Sequence, residues 1–297
     1  MDFSVLSSQS KIALYVLGLL IILVVLSIIW IISLLVQLIR TAKLNDKHND
    51  DLPLFADVAY FYEKGNRERQ EDSLYISHLD DYVDYGIFAC VSDGMGGLKF
   101  GSEISKFVVD EIEKMYPVNF YNCEATAEKI SKISNRVFEK YSRKGGATLV
   151  LVHIFQDKMH FYSVGDSDII IMRKGVCTVL NPKQNYSKIL IKNLIIEGKT
   201  TEDAYINKKG RALVDFIGNN NIRVNYTREP MKLIDNDVII VCSDGVTDAI
   251  SLNSMMPLMG VNARKTAENI KLTVRHKNLP RQDNYSGIVI KLNKYNF

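Results

Sequence analysis

Hydrophobic positions follow two regimes along the chain. Residues 12–39, IALYVLGLLIILVVLSIIWIISLLVQLI, carry no charge. At about 1.5 Å per residue they make a helix of roughly 42 Å, longer than a hydrocarbon core of about 30 Å. The pattern predicts a single tilted transmembrane helix. A cleaved signal peptide has an apolar stretch of about 7–15 residues ending in small residues. This stretch is far longer and ends in Gln37, Arg40 and Lys43, so it reads as an uncleaved anchor. Residues 1–11 are then a short tail, the polar stretch 40–53 a linker, and 54–297 one domain.

Beyond the anchor the apolar runs are shorter and their period changes. Residues 73–79 and 85–92 read as two strands around an acidic turn at Asp80, Asp81 and Asp84, a hairpin signal. Ile104, Phe107, Val108, Ile112 and Met115 recur at helical spacing and predict a helix over 102–116. Ile130, Ile133 and Val137 predict another over 124–140. ATLVLVHIF (147–155) and KMHFYSVG (158–165) read as adjacent strands, with DIIIMRKG continuing the same sheet. ILIKNLII and DVIIVC are strand-sized runs, and a helix is expected near 201–217. Ala263, Ala267, Ile270 and Val274 mark a helix over 262–276, and SGIVIKL closes the chain as a strand. Strands come in two clusters separated by helices, not in single alternation. The expected architecture is α+β: two packed antiparallel sheets with helices on both outer sides, preceded by the transmembrane helix.

Charge narrows the function classes. The chain has 37 Lys plus Arg against 34 Asp plus Glu. Only Lys11, Arg40 and Asp2 fall in the first 40 residues, so the rest is nearly neutral. That gives no basic stripe and no sign of a nucleic-acid partner. Arg40, Lys43 and Lys47 follow the apolar span and only Lys11 precedes it, which predicts a single-pass protein of the cell membrane with its C-terminal domain in the cytoplasm. Cys90, Cys123, Cys177 and Cys242 have no zinc or disulfide-scaffold spacing. Cys90 and Cys242 lie inside strands and are expected in the core.

The chemical signal is a set of aspartates beside glycines or at strand ends: Asp72 in NRERQEDS, Asp93 in VSDGMGG, Asp166 in VGDSD, Asp244 in CSDG and Asp283 in RQDNYSG. Convergent carboxylates repel one another unless a cation neutralises them. Oxygen ligands without His or Cys select hard ions such as Mg²⁺ or Mn²⁺. Two such ions about 3.5–4 Å apart form a hydrolytic site. GMGG lacks the spacing of a dinucleotide loop or a P-loop.

Six segments, in this order, carry a resemblance: GNRERQEDS (65–73), VSDGMGGLKFG (91–101), GGATLV (145–150), VGDSD (164–168), CSDGVTD (242–248) and QDNYS (282–286). Together they resemble the metal-dependent protein serine/threonine phosphatases of the PPM class, the PP2C family, as a membrane-anchored member of bacterial type. The resemblance covers about residues 57–292. It implies a β-sandwich flanked by helices and two Mn²⁺ or Mg²⁺ ions, with a weaker third. By the same resemblance Asp93 bridges the two metals, the Gly94 carbonyl, Asp244 and Asp283 are further ligands, and Glu71 and Asp72 hold the site from the N-terminal strand. Asp166 goes with the weaker third ion. Arg67 matches the arginine that grips the substrate phosphate. Arg69 competes with it, and strand alternation puts both on one face.

The implied activity is hydrolysis of phosphoserine and phosphothreonine in proteins, by a hydroxide bridging the metals, as part of signalling. The implied partners are phosphorylated substrates of a serine/threonine kinase, and the lipid bilayer through residues 12–39. The alternative is a catalytically weak or inactive domain that acts as a membrane-tethered phosphoprotein-binding module. Several positions depart from the pattern. Asp168 stands where the family usually has arginine and is expected to face solvent, the alternative being that it alters the third metal site. Ala147 replaces Ser or Thr, Gln70 replaces Asn, and Met95 stands where some relatives carry His. Segment 181–210 lacks the family's usual Asp-His pair.

Overall fold

Alternation along each strand decides what each layer buries. The computed structural model describes residues 8–50, 54–95, 100–142, 144–197 and 212–294. Two units separate, Met1–Leu52 and Pro53–Phe297.

The first unit is one helix, α1 (Ser8–Asp50). Leu17–Ile39 is long and apolar enough to cross a membrane, with mean hydropathy 3.3. Its described large apolar side chains are exposed, Trp30 among them. The helix continues through the polar residues 40–50, so that connection is helical rather than extended.

The second unit is a sandwich. Its elements begin with β1 (Leu54–Glu63), β2 (Asp72–Ile76), the short α2 (Tyr82–Tyr85), β3 (Ile87–Asp93), α3 (Gly101–Glu113) and α4 (Cys123–Tyr141). There follow β4 (Leu149–Phe155), β5 (Lys158–Val164), β6 (Asp168–Arg173), β7 (Val176–Val179) and α5 (Ser187–Ile196). The chain continues with β8 (Asn225–Tyr226), β9 (Met231–Lys232), β10 (Val238–Cys242), α6 (Asp244–Thr247), α7 (Ala263–Lys277) and β11 (Tyr285–Lys294). One sheet has the order β1-β11-β10-β6-β7. The other has β2-β3-β4-β5-β8, with β9 also on β5. Among the described residues every pairing between these strands is antiparallel. The architecture is the one the patterning predicts.

β3 shows how the layers form. Ile87, Ala89 and Val91 point between the sheets, toward Ile169, Ile239, Val241, Ile288 and Ile290. Phe88 and Cys90 point outward, beneath Ile104, Val108 and Ile112 of α3 and Ile130, Ile133 and Val137 of α4. A strand buried on both faces reads as a continuous apolar run. On the opposite side Ile240, Cys242 and Val289 pack under Ala267, Ile270 and Val274 of α7. Each fully buried aliphatic side chain contributes about 1.5–3 kcal/mol. Asparagine caps open α4 and α7, the two longest helices of these outer layers. Asn122 Oδ1 accepts from the Ala125 amide at 3.1 Å, and Asn262 Oδ1 from Lys265 at 2.8 Å.

Three local expectations are corrected. ILIKNLII is not a strand; it lies in α5, where flanking polar residues and length favour one helical turn after another. DIIIMRKG does not continue the sheet of β4 and β5, because β6 pairs with β10 and β7 in the other sheet. A turn at Gly165–Ser167 carries the chain across. Of the helix expected at 201–217, residues 201–211 lie outside the described residues, and 212–217 form bends and isolated bridges. β1 was missed from the pattern because LFADVAYFYE alternates imperfectly, yet it pairs along its whole length with β11.

Candidate functional site

Strand direction brings the acidic motifs to one end of the sandwich. Asp72 opens β2 and Asp93 closes β3, and the two are direct cross-strand partners. In the other sheet Asp244 follows the end of β10, Asp283 precedes β11 and Asp166 precedes β6. The register sets Cys242 opposite both Gly287 and Asp168, so those three chain ends are neighbours. Residues 64–71 run from the end of β1 to the start of β2 and carry Arg67, Arg69 and Glu71 across the gap between sheets.

Asn284 holds that connection. Its Oδ1 accepts from the Glu71 amide at 2.8 Å, and its Nδ2 donates to the Lys64 and Arg69 carbonyls at 2.7 and 3.0 Å. Gly94 lies where backbone is crowded. Its amide donates to the Glu71 carbonyl at 3.0 Å, and a Cβ there would collide with the carbonyls of Gly101 and Glu71. Only glycine lets the three segments close. Gly245 is under the same constraint from the Asn284 carbonyl.

The carboxylates meet two environments. Asp72 is 1% exposed. Ser243 Oγ donates to its Oδ2 at 2.9 Å, while Oδ1 has no hydrogen-bond partner. Burial pushes its pKa up to about 7; the Ser286 and Ser243 hydroxyls offset part of that, and Asp283 and Glu71 add to it. Asp93 is raised well above the usual range by burial and then by Asp72, Asp244, Asp283 and Asp166. Asp244 is pushed to about 8 by burial, Asp166, Asp248 and Asp283. Glu71 is raised by burial against the pull of Arg67. The Asp93 amide donates to Thr148 Oγ1 at 3.2 Å, and Thr148 Oγ1 lies 2.6 Å from Ser167 Oγ, tying the turn before β6 to β3.

Asp166 and Asp168 differ from the rest. Asp168 does not face solvent; it is fully buried. Its Oδ2 accepts from Lys183 Nζ at 2.9 Å and from Thr247 Oγ1 at 2.6 Å. The patterning missed Lys183 because it lies in a polar stretch with no motif, and missed Thr247 and Ser243 because they read as ordinary turn residues. Asp166 is pushed to about 6 by burial, with Lys183 opposing and Asp168 adding.

At the rim, Arg67 Nη2 donates to Asp283 Oδ2 at 2.6 Å, with both side chains about 40% exposed. Among the described residues, no three Asp, Glu, His or Cys side chains already surround one point at ligating distance. Residues 96–99 of the VSDGMGGLKFG segment lie outside the described residues. The donor set still suits a hard divalent cation. It is all oxygen, its acids repel one another, and a buried carboxylate oxygen of Asp72 lacks a partner. Cys90 and Cys242 are fully buried with raised thiol pKa values, driven by burial, so neither is a nucleophile.

No family model matches the sequence, and no curated protein matches it. Solved structures do match in fold. A serine/threonine phosphatase of S. agalactiae aligns at 19% identity and TM-score 0.68, covering 80% of this chain and 99% of that one. Stp1, a serine/threonine phosphatase of Staphylococcus aureus, aligns at 18% and 0.68, covering 80% and 95%. The catalytic domain of the serine/threonine protein phosphatase PstP, solved in complex with two manganese ions, aligns at 20% and 0.64, covering 81% and 100%. The chain shares their fold.

Proposed function

We propose that this chain is a metal-dependent protein serine/threonine phosphatase, tethered to a membrane through residues 12–39 with its catalytic domain in the cytoplasm. The observation that carries the reading is the convergence of Asp72, Asp93, Asp166, Asp244 and Asp283 at one end of a phosphatase-like sandwich. Asp72, Asp93, Asp244, Asp283 and the Gly94 carbonyl would hold two Mn²⁺ or Mg²⁺ ions, with Glu71 supporting them from the rim. When bound, such ions supply Lewis acidity that lowers the pKa of water and neutralises phosphoryl charge. Ser243 fixes the Asp72 carboxylate. Asn284 fixes the loop that presents Arg67. A phosphate dianion accepts two parallel guanidinium hydrogen bonds, so Arg67 exchanges Asp283 for the substrate phosphate. Its exposure at the rim leaves room for a phosphoserine or phosphothreonine on a protein surface.

The test is dephosphorylation of a phosphothreonine peptide by the full chain in detergent. Mn²⁺ should support turnover, EDTA should abolish it, and added Mn²⁺ should restore it. Turnover unaffected by EDTA would sink the reading. Protease added to intact cells should spare the domain and digest it after lysis. Digestion before lysis would reverse the orientation.

A further inference from the structure

The segment after β7 is fastened to the turn before β6 by two buried amides. Asn181 Oδ1 accepts from the Ile169 amide at 2.7 Å, and its Nδ2 donates to the Ser167 carbonyl at 2.9 Å. Gln184 Oε1 accepts from the Gly165 amide at 2.8 Å, its own amide donates to the Gly165 carbonyl at 2.9 Å, and its Nε2 donates to the Arg223 carbonyl at 2.6 Å. Both amide side chains belong to buried residues. Between them stands Lys183, whose ammonium is thereby delivered to Asp168 at 2.9 Å. The clamp holds the backbone on both sides of the lysine, and its side chain, 37% exposed, reaches Asp168 from there.

That placement has an electrostatic consequence. The turn 165–168 carries two acids, Asp166 and Asp168, and Asp244 lies close by. A fully buried carboxylate such as Asp168 requires a compensating charge. Lys183 supplies it, and its field also reaches Asp166 and Asp244. Burial works against the ammonium, but the three acids outweigh it and hold its pKa above the ordinary lysine value. On the other side Asp72 accepts from the neutral Ser243 hydroxyl, and Arg67 pairs with Asp283 only at the exposed rim.

We propose that Lys183 is a built-in counter-ion on the Asp166–Asp168 side of the site, on a backbone fixed by the Asn181 and Gln184 clamp, so that a further divalent ion is disfavoured beside Asp166 and metal binding is confined to the set of Asp72, Asp93, Asp244 and Asp283. An ammonium paired with Asp168, two residues along the turn from Asp166, repels an incoming divalent cation and offsets the charge that would attract one. Lys183 is a positioning residue for the metal set; it does not touch substrate. The inference rests on the proposed metal-dependent reading.

The test uses the full chain in detergent, stripped with EDTA. Mn²⁺ stoichiometry is measured by titration calorimetry, and melting temperature is followed against Mn²⁺ concentration. Wild type should take up two ions. Lys183→Gln, which keeps a hydrogen-bond donor but removes the charge, should gain a further ion or bind its weakest ion at least tenfold more tightly. Its melting temperature should be lower than wild type in EDTA and should rise more with Mn²⁺. Lys183→Arg, which keeps the charge, should behave as wild type. If Lys183→Gln folds only with Mn²⁺ present, that too supports the assignment; failure to fold with or without Mn²⁺ overturns it. A Lys183→Gln isotherm identical to wild type overturns this inference alone, as does a third wild-type ion of affinity similar to the first two. A wild type that takes up no Mn²⁺ overturns the phosphatase reading together with it.

Discussion

The two sides of the acidic end solve the same problem differently. Asp72 and Asp93 face each other across a strand pair, Asp72 accepting from the Ser243 hydroxyl, and burial drives both toward their neutral forms. Asp168, equally buried, has a lysine delivered to it by a separate segment. A carboxylate that the fold neutralises internally is a structural element. Each of the two buried acids keeps one unpartnered oxygen, Oδ1 of Asp72 and Oδ1 of Asp168; the difference is that the other oxygen of Asp168 has an ammonium and that of Asp72 only a hydroxyl. The contrast separates an acid paired with a cation inside the fold from one held by neutral groups with its pKa raised by burial, although both look alike in sequence.

The hardest blow to this contrast is Asp93→Ala. Turnover should fall by at least about a thousandfold, the upper range for removing one electrostatic stabiliser. The metal-free fold should be unchanged or slightly more stable, because a repulsive buried charge is gone. Near-wild-type turnover by a folded variant would remove the two-metal assignment. Asp168→Arg is the mirror experiment. It sets a second cation against Lys183 in a buried place and should cost about 3–5 kcal/mol, the range for breaking a buried ion pair. Unchanged denaturant midpoints would show that Asp168 is not structural.

At the rim, Arg67→Ala should raise KM about 10- to 100-fold, matching a charged hydrogen bond of about 1.5–3 kcal/mol. Metal affinity and kcat should move little. Unchanged KM and kcat/KM would return the phosphate role to Arg69 or to neither. Ser243→Ala, which loosens Asp72, should weaken Mn²⁺ binding about tenfold, the lower range for a supporting partner of a ligand; unaltered affinity would detach Ser243 from the site.

The smallest effect is a pH slope. Asp72 and Asp244 have folded pKa values of about 7 and about 8, above their unfolded values. The folded state therefore binds more protons, and stability falls as pH rises through that range. His153, lowered to about 4 by burial, contributes with opposite sign only below about pH 6.5. Between pH 6.5 and 8 the metal-free melting temperature should drop by a few degrees, and saturating Mn²⁺ should flatten the slope. A flat metal-free profile would mean that these acids are not frustrated.

The sandwich was legible because its layers follow from alternation. β3, β4 and β10 are apolar on both faces, and α3, α4 and α7 carry clear stripes. The acid set was legible because each aspartate stands at a strand end beside a glycine or within a motif. Asp168 was misread as solvent-facing because its partner is remote in sequence. Nothing in NPKQ announces that Asn181 and Gln184 will fold back on residues 165–169. α5 was read as a strand because a short apolar run has no period of its own. The β6 assignment failed because a three-residue turn can change sheets as readily as continue one.

The pairing of β1 with β11 bears on how the molecule is made. β1, the first strand of the sandwich, has its partner in the last described strand, with Leu54 opposite Lys294 and Glu63 opposite Tyr285. β11 also supplies the neighbour of β10. While the chain is being synthesised, β1 must therefore wait for almost the whole domain to emerge, an unpaired edge of the kind that aggregates or is degraded. Asp283 and Asn284 arrive just ahead of β11, so the acid cluster and the loop that bears Arg67 are completed by the same late event. A ribosome that stalls early releases a product with neither a closed sheet nor a finished cluster, and the fold itself ties chemical competence to complete translation of that strand.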